Sequence, residues 1–419
     1  MNHYIMKRIS TIISMVTVAL LLVILSMTSC NDAKYDTIDS RIYIQETGIK
    51  SYSSTKVTIS DENVTVMVTP RTGQNVVQDT EVKFKIDAEA LKDFNQRNGT
   101  SYEVLPEDNY IFDNPVATVK NGTSAGTSVA VTIMPLSEEL LTSGKQYALP
   151  LAIESASGIE VMKGADVMIY IVDPLIITSV PVINYKHHLL MHMRQSYALS
   201  EWAVEFRLSI DELGTEKGQK NNQALFAANA PAGMDGEIYT RFGDAMVEGN
   251  LLQIKNQGSQ FNSTMKFAIN TWYHIAFVNN GVTITMYING VKDSEMTSSG
   301  KITNVGGDFS FGAGNMLLAN VKVNEIRFWT KAITPVQIAN NMFNIDPQSE
   351  GLEGYWKLNE GKGRECKDYT GHGNTAGFYK KVQTGWAGEE VWVEQETTPT
   401  WIHNVKGENG PDNKVEGNN

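Results

Sequence analysis

At 419 residues the chain is long enough for two or three domains, each with a core of its own. With 42% hydrophobic and 20% charged residues it has the composition of a globular protein. A formal charge of −12 and the lack of any Lys/Arg-rich run argue against a nucleic-acid partner and against electrostatic docking on anionic lipid.

The first residues read as a targeting segment. Lys7 and Arg8 form a basic start, Ile9–Met27 is an apolar run, and the small residues Thr28 and Ser29 precede Cys30. The run is also long enough for a membrane anchor. A cysteine placed this way resembles a bacterial lipobox, with Met27 where leucine is more usual; the resemblance implies that residues 1–29 are removed and Cys30 is lipidated. Removal takes away Lys7 and Arg8 and no acids, so the charge of −12 becomes −14. Cys366 is then the one remaining thiol outside the anchor, which rules out an internal disulfide and reads as a packed cysteine. Residues 30–40 are a short polar tether.

From residue 41 to 178 short alternating runs recur (RIYI, KVTIS, NVTVMVTP, TEVKFKI, TSVAVTIMP, QYALPLAIE, ADVMIYIVD), with turn residues between them. That is the pattern of a β-sandwich. Within it Asp87–Asn98 reads as a helix: Asp87 is an N-cap, Ala90, Leu91 and Phe94 share a face, and Gly99 is a stop. This helix, GTSYEVLPEDNY (Gly99–Tyr110) and YALPLAI (Tyr147–Ile153) resemble an immunoglobulin-like domain family. The family is known from surface lipoproteins of Bacteroidota glycan-utilisation loci and from an N-terminal module of endo-β-N-acetylglucosaminidases. The resemblance implies a spacer. Tyr102, Tyr110 and Tyr147 have two readings, a sugar platform or corner packing, and their place beside Leu105–Pro106 and Leu149–Pro150 favours the corners. The resemblance also implies an outer-membrane lipoprotein facing the cell exterior, with transporter and glycosidase partners of the same system.

Pro174 and Pro181 bracket the domain boundary, placed near Ser179, so that a second domain runs over 179–403. Trp202–Ile210 alternates cleanly, with Trp202, Val204, Phe206, Leu208 and Ile210 on one face. In Thr271–Lys292 two β-favouring runs flank Asn279–Gly281, and Asn289–Gly290 follows as a tight hairpin turn. Val282, Ile284, Met286 and Ile288 then face a core, and Thr283, Thr285 and Tyr287 face water. Thr334 and Pro335 begin a helix as N-cap and N1. EFRL (Glu205–Leu208), WYHIAFV with YINGV, EIRFWTKAIT (Glu325–Thr334), GYWKLNEG and DYTGHGNTA (Gly354–Ala376) resemble a laminin-G-like, concanavalin A-type jelly roll. The fold class is thus all-β: an immunoglobulin-like sandwich, then a concanavalin A-like jelly roll. Residues 404–419 read as a disordered tail.

A jelly-roll glycosidase needs two carboxylates, about 5 Å apart if it retains configuration. The pair Glu201 and Glu205 on one strand is about 13 Å apart at strand rise. No E-x-D-x-x-E, nucleophile elbow, H-E-x-x-H or P-loop occurs. His187, His188 and His192 have no acidic neighbour in sequence and read as strand residues. The chain therefore reads as a non-enzyme that binds glycan. Sugars are held by aromatic faces and by planar hydrogen-bonding groups. Trp202, Trp272, Trp329 and Trp356 belong to the core. Candidates for ligand contact are Trp386, Trp392 and Trp401 near the C-terminus, where the alternative is closure of the sandwich edge, with Tyr239, Tyr369 and His372 in loops. Asp368 has two readings: a calcium ligand, as in related folds, or the organiser of a glycine-rich turn. Two rival functions remain, an adhesive protein-binding module and a glycosidase with an atypical acid pair.

Overall fold

The structure is a computed structural model that describes residues 40–312, 316–383, 390–395 and 397–412. Residues 1–39, where a signal segment, the lipidated Cys30 and most of a tether are expected, and Trp386 lie outside the described residues.

Residues 41–174 form a sandwich. One sheet runs in the order Ser53–Ile59, Val167–Pro174, Tyr147–Ala156, Thr80–Ile86, Val116–Val119; the facing sheet is Val64–Val68, Val129–Ile133, Tyr110–Ile111. Alternation drives the layering: in Thr80–Ile86, Val82 and Phe84 enter the core while Glu81, Lys83 and Lys85 are exposed. Ser53–Ile59 pairs in parallel with Val167–Pro174, which alternation alone does not reveal. The helix is Ala88–Asn98, with Asp87 accepting from the Ala90 N–H and Gly99 at φ 63°. Its Ala90, Leu91 and Phe94 pack on Tyr102, Ala152 and Ile169. Tyr102 and Tyr147 are buried at this corner, and both faces of the Asn95 amide brace Tyr102: Asn95 Nδ2 donates to the Tyr102 carbonyl (2.8 Å) and Asn95 Oδ1 accepts from the Tyr102 N–H (3.1 Å).

The boundary falls a few residues before Ser179. Ile177–Ile183 is already a strand of the second unit, pairing through Ile177 with Lys406 and through Pro181 with Trp401. Pairing on its other side begins only at Val182, so the missing N–H of Pro181 breaks no ladder bond there.

The second unit is a jelly roll of two sheets. The first sheet contains, in spatial order, Val291–Thr297, Thr283–Ile288, Thr271–Asn279, Trp202–Ile210, Val321–Trp329, Ile177–Ile183 and Trp401–Lys406. The second contains Ser259–Asn262, Val247–Asn256, Glu237–Asp244, Gln223–Asn229, Asp308–Phe311, Leu189–His192, Thr375–Gly377 and Glu365–Cys366. Between them Trp202, Val204, Phe206, Leu208, Phe277 and Met286 meet Phe226, Ile238, Phe242, Phe309 and Phe311. Trp202, Trp272, Trp329 and Trp356 are all buried.

The hairpin has the expected strands, with Ile275 opposite Ile288 and Phe277 opposite Met286, and Asn289 and Gly290 at φ 52° and 78°. Val282, expected on the core face, belongs to the turn before the strand Thr283–Ile288 and is exposed. The second face is not wet. Thr285 is buried and Tyr287 half-buried, because the chain after Trp329 folds back over this side of the sheet. Ile333, Ile338 and Ile345 of that cover pack on Ala203, Ala276, Val278 and Tyr355. The cover's helix Pro335–Asn340 has Thr334 as N-cap and Gln337 closing a capping box.

The expected tail is also shorter. Trp401–Lys406 is a strand, Gly410 and Pro411 pair with Trp272 and Thr271, and Asp412 accepts from Trp272 Nε1 (3.1 Å) and from Lys322. A buried indole N–H and a largely buried ammonium need such a partner, which fixes the segment through residue 412. Residues 413–419 lie outside the described ones.

The cover also joins the two units. Gln146 Nε2 donates to the Asn340 carbonyl (2.6 Å) and to Asn341 Oδ1 (2.9 Å), and Asn344 Nδ2 donates to the Leu141 carbonyl (3.3 Å). Gly144, at φ 75°, lies so close that a Cβ there would stand 2.2 Å from the Ile345 carbonyl oxygen. Gly144→Val is therefore expected to pry the units apart. Limited proteolysis at Leu175–Ile176 should become roughly tenfold faster, with each sandwich still folded. An unchanged rate would show that this contact does not hold the units together.

Candidate functional site

The outward face of the second sheet follows from its register. Side chains alternate, so Ile238, Phe242, Phe309 and Phe311 face the core, and their neighbours Tyr239, Arg241, Asp308 and Ser310 face out. One row crosses the sheet as Gln260, Lys255, Tyr239, Ala227, Ser310, Leu190, Gly377 and Glu365. Ala227 and Ser310 are small and adjacent, so the centre of the row is a low floor. Two interstrand spacings make it about 10 Å wide, enough for one pyranose chain.

One bank is a braced polar platform. Arg241 donates from Nε to Gln253 Oε1 (2.9 Å), from Nη1 to Asn222 Oδ1 (2.7 Å) and from Nη2 to Asp244. Tyr239 donates its hydroxyl to the same Asn222 Oδ1 (3.3 Å), and the guanidinium lies 5.8 Å from its ring centre. Asn222 itself sits at φ 56°, a left-handed conformation in which a short amide is tolerated. Burial raises the Tyr239 phenol above its ordinary value, so it remains a neutral donor. Gln253 Nε2 continues the chain of bonds to Asn262 Oδ1 (2.8 Å). The platform is rigid because Tyr239, Arg241, Asn222 and Gln253 are each held by at least two neighbours.

The other bank carries His192 and Asp308, opposite each other in register and 2.7 Å apart through Nδ1 and Oδ1. The hairpin formed by Tyr379–Gln383 and Glu390–Glu394 lies at the opposite end of the strand Leu189–His192, next to His188. Gln395 Nε2 ties it down by donating to the His188 and Tyr379 carbonyls (2.8 and 2.9 Å).

The residues expected from sequence do not form one cluster. Tyr239 is in the middle of the strand Glu237–Asp244 rather than in a loop. Tyr369 packs on Tyr355 in the cover of the opposite sheet and donates to Asn359 Oδ1 (3.0 Å). His372 Nδ1 lies 3.2 Å from the Glu353 carbonyl. Trp401 is half-buried at the sandwich edge, edge-on to Phe378, with Nε1 donating to the Gly363 carbonyl. Trp392 lies on the hairpin opposite Lys381, and Trp386 falls outside the described residues. His187 and His188 precede the strand Leu189–His192 rather than lying in it. Of the groove residues, Arg241 was readable, since alternation in EIYTRF places it on the face of Tyr239. His192 with Asp308 was not, because their contact needs a register between segments 116 residues apart.

Asp368 organises a turn. Its Oδ1 accepts from the Tyr355 and Thr370 N–H groups (both 3.1 Å), and its Oδ2 accepts from the Thr370 hydroxyl (2.7 Å) and Asn374 Nδ2 (2.8 Å). Both oxygens are taken by protein donors, and no group of three or more His, Cys, Asp or Glu among the described residues is placed to hold a metal.

The carboxylate pair considered for glycoside hydrolysis is separated by the cover. Glu205 is buried beneath it, accepting from Trp329 Nε1 (2.8 Å), with Arg327 Nη1 at 3.6 Å and His274 Nε2 at 3.4 Å. Burial alone would raise this carboxyl; Arg327, His274 and Trp329 outweigh it and hold it below its ordinary value. Glu201 is exposed and accepts from the Ala332 N–H. Cys366 is buried, which pushes its thiol well up and keeps it protonated.

Comparisons with known proteins agree with this architecture. A model of an N-terminal domain family matches residues 35–160, and the laminin G model of the concanavalin A-like lectin/glucanases superfamily matches residues 191–339. A crystal structure from Bacteroides ovatus, of a protein with an ascribed carbohydrate-binding role, superposes with a TM-score of 0.52 at 20% identity. It covers 86% of this chain and 99% of that one, a likeness of fold. Bacteroides thetaiotamicron EndoBT-3987, solved with Man5GlcNAc product, is 28% identical over 32% of this chain and 30% of its own, with a TM-score of 0.26. A SAP-like pentraxin from Limulus polyphemus is 16% identical over 48% of this chain and 95% of its own, with a TM-score of 0.34. No curated protein matches the chain. The chain thus joins an N-terminal immunoglobulin-like domain matched by that family to a laminin-G-like, concanavalin A-like jelly roll.

Proposed function

We propose that the protein is a non-catalytic glycan-binding lipoprotein that holds sugar on the outward face of its second jelly-roll sheet. The observation that carries this reading is the outward face itself: a floor of Ala227 and Ser310 with the Tyr239–Arg241–Asn222 platform on one side and the His192–Asp308 pair two residues along the strands from Ser310 and Leu190. A sugar presents C–H faces and a rim of hydroxyls, and the groove offers an aromatic ring beside braced planar donors and acceptors. The lectin-like superfamily match and the carbohydrate-binding role ascribed to the Bacteroides ovatus protein support the same reading. Lipidation at Cys30 would display the groove at the outer membrane, facing the cell exterior, with the immunoglobulin-like unit as spacer. Transporter and glycosidase partners of a glycan-utilisation system would complete the assembly.

Tyr239→Ala tests the site. It should weaken binding to a recognised oligosaccharide about tenfold, the loss of one stacked ring, while leaving the melting temperature within a few degrees. Undiminished affinity would remove the groove from the binding surface.

A further inference from the structure

A second, separate space opens where the two units meet. It has a volume of about 630 Å³, with one wall from the immunoglobulin-like unit (Leu136, Leu141) and the other from the jelly roll (Phe343, Asn344, Lys357, Asn359). Two cations line it. Lys357 is 8% exposed, and its ammonium lies over the Tyr369 and Tyr355 rings at 4.9 and 5.6 Å. Its hydrogen bond goes to the neutral Asn344 Oδ1 (3.2 Å). Arg207 is 1% exposed, with Trp272 and Phe343 rings at 5.0 and 4.8 Å; it donates to Asn324 Oδ1 and the Glu408 carbonyl, and its Nε has no hydrogen-bond partner.

Among the described residues neither cation has a carboxylate within 4.0 Å, the ion-pairing distance. The acid on the cleft floor, Glu325, is committed to Arg327 (2.5 Å) and to the Tyr355 hydroxyl (2.6 Å). It sits at φ 55° where the strand Val321–Trp329 bulges against Trp202–Ile210. Asp61, on the exposed lip opposite, also lines the cleft. Burial outweighs the pull of Glu325, which attracts both cations only from beyond contact distance. A buried cation with no carboxylate in contact is costly, and a ligand carboxylate is the group that would offset this. The remaining lining is amide and apolar, in the mix that suits a pyranose ring.

We propose that this interdomain cleft binds an acidic sugar of the hexuronic acid class. Its carboxylate faces Lys357, with the ring hydroxyls on Asn344 and Asn359 and a C–H face toward Phe343. The volume admits one or two sugar residues. This inference does not rest on the groove of the second sheet.

Calorimetric titration of the soluble chain, residues 31–419, with D-glucuronate and D-galacturonate tests it, with D-glucose and D-galactose as controls. The expected result is millimolar binding of at least one uronate and at least tenfold weaker binding of its neutral parent. Lys357→Met should reduce uronate affinity at least tenfold. Asn359→Asp places a negative charge at the exposed lip without disturbing the core, and should reduce it severalfold even if Lys357→Met fails to fold. Equal affinity for neutral and acidic sugars, no uronate binding, or uronate binding untouched by Asn359→Asp would each overturn the proposal. Because the probe is a monosaccharide uronate, failure here leaves the groove's reading standing.

Discussion

Arg327→Met is expected to destabilise the jelly roll by about 3–5 kcal/mol, lowering its melting temperature by roughly 10 °C. Arg327 is fully buried between two acids, with Glu325 Oε2 at 2.5 Å and Glu205 Oε2 at 3.6 Å. It also donates to the Asn341 carbonyl (2.6 Å), which pins the cover to the sheet. Burial acts against the charge, but Glu325, Tyr355 and Glu205 outweigh it and raise the guanidinium's affinity for its proton. Methionine fills much of the same volume, so the loss is electrostatic: two buried carboxylates are left without their cation. Thermal denaturation followed by far-UV circular dichroism checks this. A shift under about 3 °C would mean that the network contributes little to holding the cover down.

The second large effect is a loss of stability with acid. His274 is fully buried on the strand Thr271–Asn279. Burial pulls its pKa below the ordinary 6.5; Glu205 pulls the other way, and Arg327 and Arg207 add to the lowering. His188 and His187 are lowered too, first by burial. A histidine with a depressed folded pKa takes up its proton more readily when unfolded. Its stabilising contribution is therefore complete above pH 6.5 and is lost as pH falls toward the folded value. The melting temperature should fall by on the order of 5 °C between pH 7.5 and 5, and His274→Gln should flatten the curve. A flat wild-type curve over that range would contradict the account of a neutral, buried His274.

Much of the fold was legible because local patterns and the global structure agree. The capped helix Ala88–Asn98, the Asn289–Gly290 hairpin and the capping box at Thr334 each follow from a few adjacent residues. The errors share one cause, namely long-range coverage. Thr283, Thr285 and Tyr287 alternate as a solvent face should, yet the chain after Trp329 packs on Tyr287 and on this side of the sheet. Glu205, Arg207 and Arg327 look like surface charges in sequence and are buried with one another. The stretch 404–412 is polar enough for a tail, and is held because Asp412 accepts from Trp272 Nε1 and from Lys322. The groove was half legible: Tyr239 with Arg241 follows from period two, whereas the His192–Asp308 bank depends on strand order. Nothing local marks the cleft between the units, since its lining comes from both.

Central to all of this is that the outward face of the second sheet recognises glycan, and the most direct measurement is a glycan array probed with soluble residues 31–419. The expected result is signal on a related set of oligosaccharides, diminished about tenfold by Tyr239→Ala. Silence across plant, microbial and N-linked glycans would contradict the account and leave an adhesive, protein-binding surface as the better reading.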